Sequence, residues 1–265
     1  MSDPAFGHIE QVNDIEMYYE AQGEGYPLVL LHGGSGIGAN WKLVFASPPE
    51  GFRLIIPDLR GHGRTTNPSA QFTFRQCALD VFALLDRLEV ERFKAIGLSM
   101  GAKTLLHMAT QQPDRILAMV LVSAAPYFPQ QARGAMSAMT PQTRSGEEWQ
   151  RMRQWHPRGD QQIIELWRQA QAMKDSYDDM NFTPPYLSTI RARTLIVHGD
   201  RDPLYPVSLA LEMYAAIPDS FLWVIPNGGH GPVFGQYTGD GETTARFADT
   251  VMNFIRDQWK SASAS

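Results

Sequence analysis

Six short apolar runs recur along this chain and constrain its fold more than any other feature. They are "YPLVLLHGG", "FRLIIPD" (52–58), "RFKAIGLS", "ILAMVLVSAA" (116–125), "RTLIVHGD" (193–200) and "SFLWVIP". Each has the length of a strand, and continuous apolar character at that length marks strands buried on both faces. An earlier segment, "IEMYYEAQG", reads as a further strand ending in a turn. Amphipathic segments lie between the runs. Residues 75–88 carry Leu79, Phe82, Leu85 and Leu88 at near-helical spacing, with Asp80, Asp86 and Arg87 expected outside. A helix is predicted from about Met100 to Gln112, with Pro113 marking its end. "PVSLALEMYAAI" reads as another, and "TARFADTVMNFIRDQW" as a closing helix that places Phe247, Val251, Phe254 and Ile255 on one face. Apolar strands alternating with amphipathic helices imply an α/β fold, a mainly parallel sheet covered by helices on both sides.

One stretch breaks the alternation. Residues 127–188 hold no convincing strand, yet contain three of the six tryptophans (Trp149, Trp155, Trp167) and five of the twelve methionines. That is too apolar for a linker, so the segment reads as a helical cap inserted over one end of the sheet. The expected organisation is a core domain of residues 1–126 and 189–260, a cap over 127–188 and a flexible tail at 261–265. The cap's Trp149, Met152, Trp155, Trp167 and Met173 either line an adaptable substrate pocket or knit the cap to the sheet.

Composition narrows the functional classes. Hydrophobic residues make up 43% of the 265 and charged residues 19%, which suits a sizeable core. A formal net charge of −5 favours neither nucleic acid nor an anionic membrane surface as partner. Cys77 is the only cysteine, so no internal disulfide forms. With "MSDPAFGHIEQ" unlike a signal peptide and no apolar run near ~20 residues, a soluble cytoplasmic protein is expected. "GGSGIG" (33–38) does not fit the dinucleotide-binding spacing, and no Walker sequence is present. The seven histidines show no clustered ligand spacing, so neither a cofactor nor a metal is expected.

In parallel sheets of this kind the binding crevice forms from loops at the carboxyl ends of strands. Four features fall there: "HGG" (32–34), Ser99 within "GLSMG" (97–101), "GDRD" (199–202) and "GGHG" (228–231). Ser99 sits on a strand-to-helix turn that would expose its hydroxyl, and Gly97 and Gly101 leave room for a crowded backbone. The N–H of Met100, at the helix start, would face a developing oxyanion. A hydroxyl is a poor nucleophile near neutral pH and needs a base within reach. His230, in a glycine-rich loop after the last strand, is the candidate. The acid that orients it is Asp200 or Asp202, and spacing alone does not separate them. His32, His198 and His107 read as structural, and the acidic "KDSYDD" (174–179) as a solvated face.

"LLHGG", "IIPDLRGHGRT", "GLSMG", "LIVHGDRDPLYP" and "GGHGP" occur in an order that resembles the α/β-hydrolase superfamily, over nearly the whole chain. That resemblance implies a Ser99, Asp202, His230 triad in the family's chain order. It also selects Asp202 over Asp200, because Gly199, Asp202 and Pro206 match the family's Gly-x-x-Asp-x-x-x-Pro segment. By the same analogy Gly34 supplies a second oxyanion N–H, while Asp58 and His62 belong to a structural turn. Relatives that hydrolyse epoxides or haloalkanes use aspartate at the nucleophile position, so Ser99 points instead to acyl chemistry. The expected activity is a carboxylesterase-like cleavage of small esters, with lactones a close variant. Alternatives are a C–C bond hydrolase of the meta-cleavage-product type, a cofactor-free perhydrolase or haloperoxidase, or a non-catalytic ligand receptor. "LHGGSGIGANW" and Met100 resemble the C–C branch; Leu98 and Gly231 depart from it.

Overall fold

A computed structural model describes residues 7–234 and 241–259; the predicted tail at 261–265 lies outside the described residues. Its sheet has eight strands: β1 (Gly7–Val12), β2 (Ile15–Gln22), β3 (Tyr26–Leu31), β4 (Phe52–Pro57), β5 (Phe93–Leu98), β6 (Ile116–Val122), β7 (Arg193–Gly199) and β8 (Ser220–Ile225). They lie in the order β1-β2-β4-β3-β5-β6-β7-β8. Pairing is parallel from β4 through β8, while β1 and β2 add an antiparallel edge. β1 escaped the sequence reading because "GHIEQV" is half-exposed and has no apolar run. It is brought back onto β2 by a tight turn with Asn13 at φ 49°.

The continuous apolar runs are explained by burial on both faces. Along β3, Leu28 and Leu30 join one core layer, and Val29 and Leu31 the other. Three helices cover the second layer: α1 (Phe74–Arg87), α2 (Met100–Gln111) and, after four helices introduced below, α7 (Val207–Ala216). The closing helix α8 (Gly241–Ile255) covers the other layer, burying Phe247, Val251, Phe254 and Ile255 as its spacing predicts. The expected face of α1 needs correction. Leu79 is 41% exposed, whereas Asp80 is fully buried. Asp80 turns inward because it pairs with the buried Arg60, whose Nε lies 2.7 Å from its Oδ2. A buried carboxylate is tolerated where it meets a matched cation.

Between β6 and β7 lie α3 (Gln130–Ser137), α4 (Gly146–Trp155), α5 (Asp160–Ala172) and α6 (Pro184–Leu187). Met152, Ile163, Leu166 and Trp167 form a small core of their own, with Trp149 packed against it. Polar bonds tie this segment to the sheet's loops. His156 Nδ1 accepts the Gly63 N–H at 2.9 Å, and Gln162 Nε2 donates to the carbonyls of Gly61 and Gly63, each at 2.8 Å. The acidic stretch 174–179 is not wholly a solvated face. Asp179 caps α1, accepting the N–H groups of Phe74 (2.7 Å) and Arg75 (3.1 Å), and its carbonyl takes a bond from His107. Among the described residues no helix is long and apolar enough to cross a membrane.

Candidate active site

The strand order reverses at β3. From β3 the chain moves to β4 on one side, then crosses to β5 on the other. The crevice beyond the carboxyl ends of β3 and β5 is therefore the topological switch point, where ligands bind in open α/β sheets. The parallel register sets Leu31 beside Gly97, which brings the turn 32–36 alongside Ser99.

Ser99 occupies that turn under strain, with φ 47° and ψ −100°. A non-glycine residue held at positive φ costs of order 1–3 kcal/mol and persists only where its surroundings enforce it. Here the Ser99 N–H donates to Val122 O at 2.8 Å, and the Gly101 N–H to His32 O at 3.0 Å. The flanking glycines are steric necessities. A Cβ on Gly97 would stand 2.6 Å from the Gly101 carbonyl carbon, and one on Gly101 would stand 2.3 Å from Leu31 O.

Loops after β7 and β8 complete the constellation. Ser99 Oγ lies 2.9 Å from His230 Nε2, and His230 Nδ1 lies 2.8 Å from Asp202 Oδ2. A carboxylate only accepts, so Nδ1 carries the proton and Nε2 is free to accept the serine's. The other Asp202 oxygen accepts the N–H groups of Leu204 (2.8 Å) and Tyr205 (3.1 Å). Burial works to raise the Asp202 pKa. The hydrogen bond and charge of His230, with the two amides, outweigh it and hold the carboxyl below its usual range. Asp200, in contrast, is exposed, and its carboxylate meets Arg201 at 3.9 Å. The structure brings Asp202, and not Asp200, to His230.

The proposed oxyanion donors lie on the same crevice. Met100 is the first residue of α2, so its N–H has no intrahelical acceptor. Gly34 is exposed, and a Cβ there would meet nothing within 4 Å. Its loop is braced by the buried His32, whose Nε2 accepts the Leu59 N–H at 2.9 Å while Nδ1 donates to Gly33 O at 2.8 Å. Burial pushes the His32 pKa down to about 4, which keeps that ring neutral and both bonds in place.

Two cavities meet at Gly33, Gly34, Ser35, Leu98 and Met139. The larger, about 640 Å³, holds Ser99, Met100 and His230 and is walled by Phe128, Met136, Met139, Leu166 and Met173. The smaller, about 200 Å³, is walled by Trp41, Met152, Trp155, Trp167 and Phe234. Of the cap residues predicted to line a pocket, Met173 thus lines the larger, and Met152, Trp155 and Trp167 the smaller. Trp149 lines neither, and that expectation is corrected: it packs edge-on to Trp167 at 4.5 Å, against the small core of Met152, Ile163, Leu166 and Trp167. Lys103 and Tyr205, which sequence reasoning missed, also line the larger cavity. A lysine inside a helix reads as solvent-facing, but α2 is buried on all sides from Met100 to Ala109.

The chain is similar to several known hydrolases. A soluble epoxide hydrolase from a Corynebacterium species is 32% identical over 126 residues, 48% of this chain and 44% of that enzyme. The match therefore spans less than half of that relative. A 2-hydroxymuconate semialdehyde hydrolase from a Pseudomonas species is 28% identical over 259 residues, covering 89% of this chain and 88% of the relative. The crystal structure of an enol-lactonase from Burkholderia xenovorans superposes with a TM-score of 0.73 at 22% identity, over 94% of this chain and 100% of that one. A family model for the alpha/beta hydrolase fold matches residues 26–165, more than half of the chain, and the protein belongs to that family.

Proposed function

We propose that the protein is a serine hydrolase that cleaves carboxylic esters, lactones included, through an acyl-enzyme on Ser99. The observation that carries this reading is the continuous hydrogen-bonded series Ser99–His230–Asp202 opening on a largely apolar cavity. In the first half-reaction Ser99 Oγ attacks the carbonyl carbon while His230 Nε2 takes its proton. Negative charge moves to the carbonyl oxygen, and the N–H groups of Gly34 and Met100 receive it. The proton held on His230 then passes to the departing alkoxide, leaving the acyl group on Ser99. Water, deprotonated by His230, attacks the acyl carbon; the acid departs and Ser99 regains its proton. Asp202 keeps His230 in the required tautomer and stabilises the imidazolium at each step. Residues 127–188 act as a cap whose α4 and α5 close the crevice over the reacting carbonyl.

Turnover of p-nitrophenyl butyrate tests the reading. Ser99→Ala should lower kcat by at least about a thousand-fold with the fold intact, since the nucleophile and base act as a unit. Unchanged turnover in that variant would remove Ser99 from the reaction. The likeness to the 2-hydroxymuconate semialdehyde hydrolase supports a second reading, hydrolysis of a C–C bond beside a ketone. Turnover of a vinylogous diketone in preference to every ester offered would favour it.

A further inference from the structure

The larger cavity contains a cation that the mechanism does not use. Lys103 lies one helical turn beyond Ser99, with its N–H bonded to Ser99 O at 3.0 Å, and so shares the serine's face of α2. It is 2% exposed, yet it lines the same cavity as Ser99 and His230. Its ammonium can donate three hydrogen bonds. Among the described residues one acceptor meets it, Tyr205 Oη, at 2.8 Å. Around the rest stand the rings of Tyr205, Phe128 and Phe74, at 4.6, 5.4 and 5.6 Å from Nζ.

Among the described residues one other Lys or Arg side chain, Arg60, is as deeply buried. Arg60 is compensated by two carboxylates, Asp14 and Asp80. Among the described residues Lys103 forms no ion pair; the acid whose charge acts on it, Asp202, is committed to His230. A buried cation with no anion is costly, and aromatic faces offset only part of that cost. Burial lowers the Lys103 pKa to about 7, against the opposing pull of Asp202, so an arriving anion would also draw the proton onto the amine. One ammonium beside one phenolic hydroxyl matches the charge and the two oxygens of a carboxylate better than a phosphate dianion, which calls for more positive charge.

We propose that the cavity selects esters or lactones carrying a free carboxylate, which Lys103 Nζ and Tyr205 Oη hold while Ser99 meets the scissile carbonyl. This rests on the ester-hydrolase reading above. It makes Lys103 a specificity residue and not part of the bond-breaking machinery.

Two substrate pairs test it by titrating released acid. Monomethyl adipate against methyl hexanoate places the charge on the acyl side; 4-acetoxybutanoate against butyl acetate places it on the alcohol side. Wild-type protein should prefer the charged member of at least one pair. Lys103→Met, which keeps an unbranched apolar stem, should lower kcat/KM for that member about ten-fold or more beyond any loss for its neutral partner, mainly through KM. Tyr205→Phe should move the same ratio in the same direction and serves if the lysine variant does not fold. Equal losses for charged and neutral esters would make Lys103 purely structural. No charged preference in wild-type protein, in either pair, would also overturn the proposal. Calorimetry of adipate monomethyl ester on Ser99→Ala protein separates this idea from the one beneath it. Binding that disappears when Lys103→Met is added upholds the carboxylate site even if no ester is turned over. Binding that survives the change overturns the site.

Discussion

At the scale of single residues the site is an exercise in constraint. Ser99 is held at positive φ by bonds from its own N–H and that of Gly101, and no side chain fits at Gly97 or Gly101. The same economy separates the two aspartates that spacing left equivalent. Asp202 has one oxygen on His230 and the other on two backbone amides, while Asp200 faces solvent beside Arg201. Asp202→Asn would present an amide that donates as well as accepts, and the imidazole would lose both its tautomer control and its counter-charge. A fall in kcat on the order of a thousand- to ten-thousand-fold is expected, with KM little changed. Asp200→Asn should stay within about three-fold, because it removes only a solvent-screened charge. Ester turnover measured at equal folded concentration checks both. A severe loss in Asp200→Asn would reverse the assignment.

At the scale of elements, the two roles offered for the tryptophans of residues 127–188 divide between particular residues. Trp167 is 3% exposed, packed edge-on against Trp149 and surrounded by Met152, Ile163 and Leu166. Trp155 ends α4, is only half-buried and faces the smaller cavity. Trp167→Ala should therefore cost about 3–5 kcal/mol in urea unfolding. Trp155→Ala should cost about 1 kcal/mol or less and widen tolerance for bulkier ester groups, read as a shift in kcat/KM across a chain-length series. Equal destabilisation by both would make the cavity wall part of the core formed by Met152, Ile163, Leu166 and Trp167. What was legible in the chain follows the same division. Apolar runs such as "LLHGG" and "TLIVHG" reveal buried strands because parallel strands have no solvent face, and the candidate site lies at their ends. β1, lacking such a run, was invisible. Asp80 on α1 was misplaced because its partner, Arg60, lies in a distant loop. Lys103 was missed because nothing in "MGAKTLLHM" says that α2 is enclosed on every side. Long-range pairing and total enclosure are properties of the packed molecule, not of local period.

At the scale of the whole molecule, three buried histidines join the sheet, the loop 58–66 and the segment 127–188 along one seam. His62 lies between His32 and His156, with ring centroids 5.1 and 5.8 Å away. His156 spans the seam itself, accepting the Gly63 N–H and donating to Ser35 O at 3.2 Å. Burial holds all three rings neutral: His32 and His156 fall to about 4, and His62, with the two neighbouring rings adding to the effect, drops well below its ordinary value. An unfolded histidine takes up its proton near pH 6.5. Below that pH the unfolded chain binds protons that the folded one refuses, so this stability is complete above about 6.5 and drains away towards pH 4. Asp58 works the other way. Burial raises it to about 6 despite the amides of Arg64 and Gly38, so between there and its unfolded value of 3.8 the folded state holds the extra proton. That offsets one histidine of the three. Each uncompensated proton is worth about 1.4 kcal/mol per pH unit. Urea midpoints should therefore fall steeply between pH 6.5 and 5, with ester turnover failing alongside as residues 127–188 come away from the loop 58–66; above pH 7 they should rise further, because folded Lys103 gives up near 7 a proton that the unfolded lysine keeps. His156→Asn, which keeps an acceptor near the Gly63 N–H but cannot titrate, should reduce that slope by roughly one proton's share. A slope unchanged in this variant would place the acid sensitivity elsewhere, and a flat profile in the wild type would show that these rings accept protons without opening the seam.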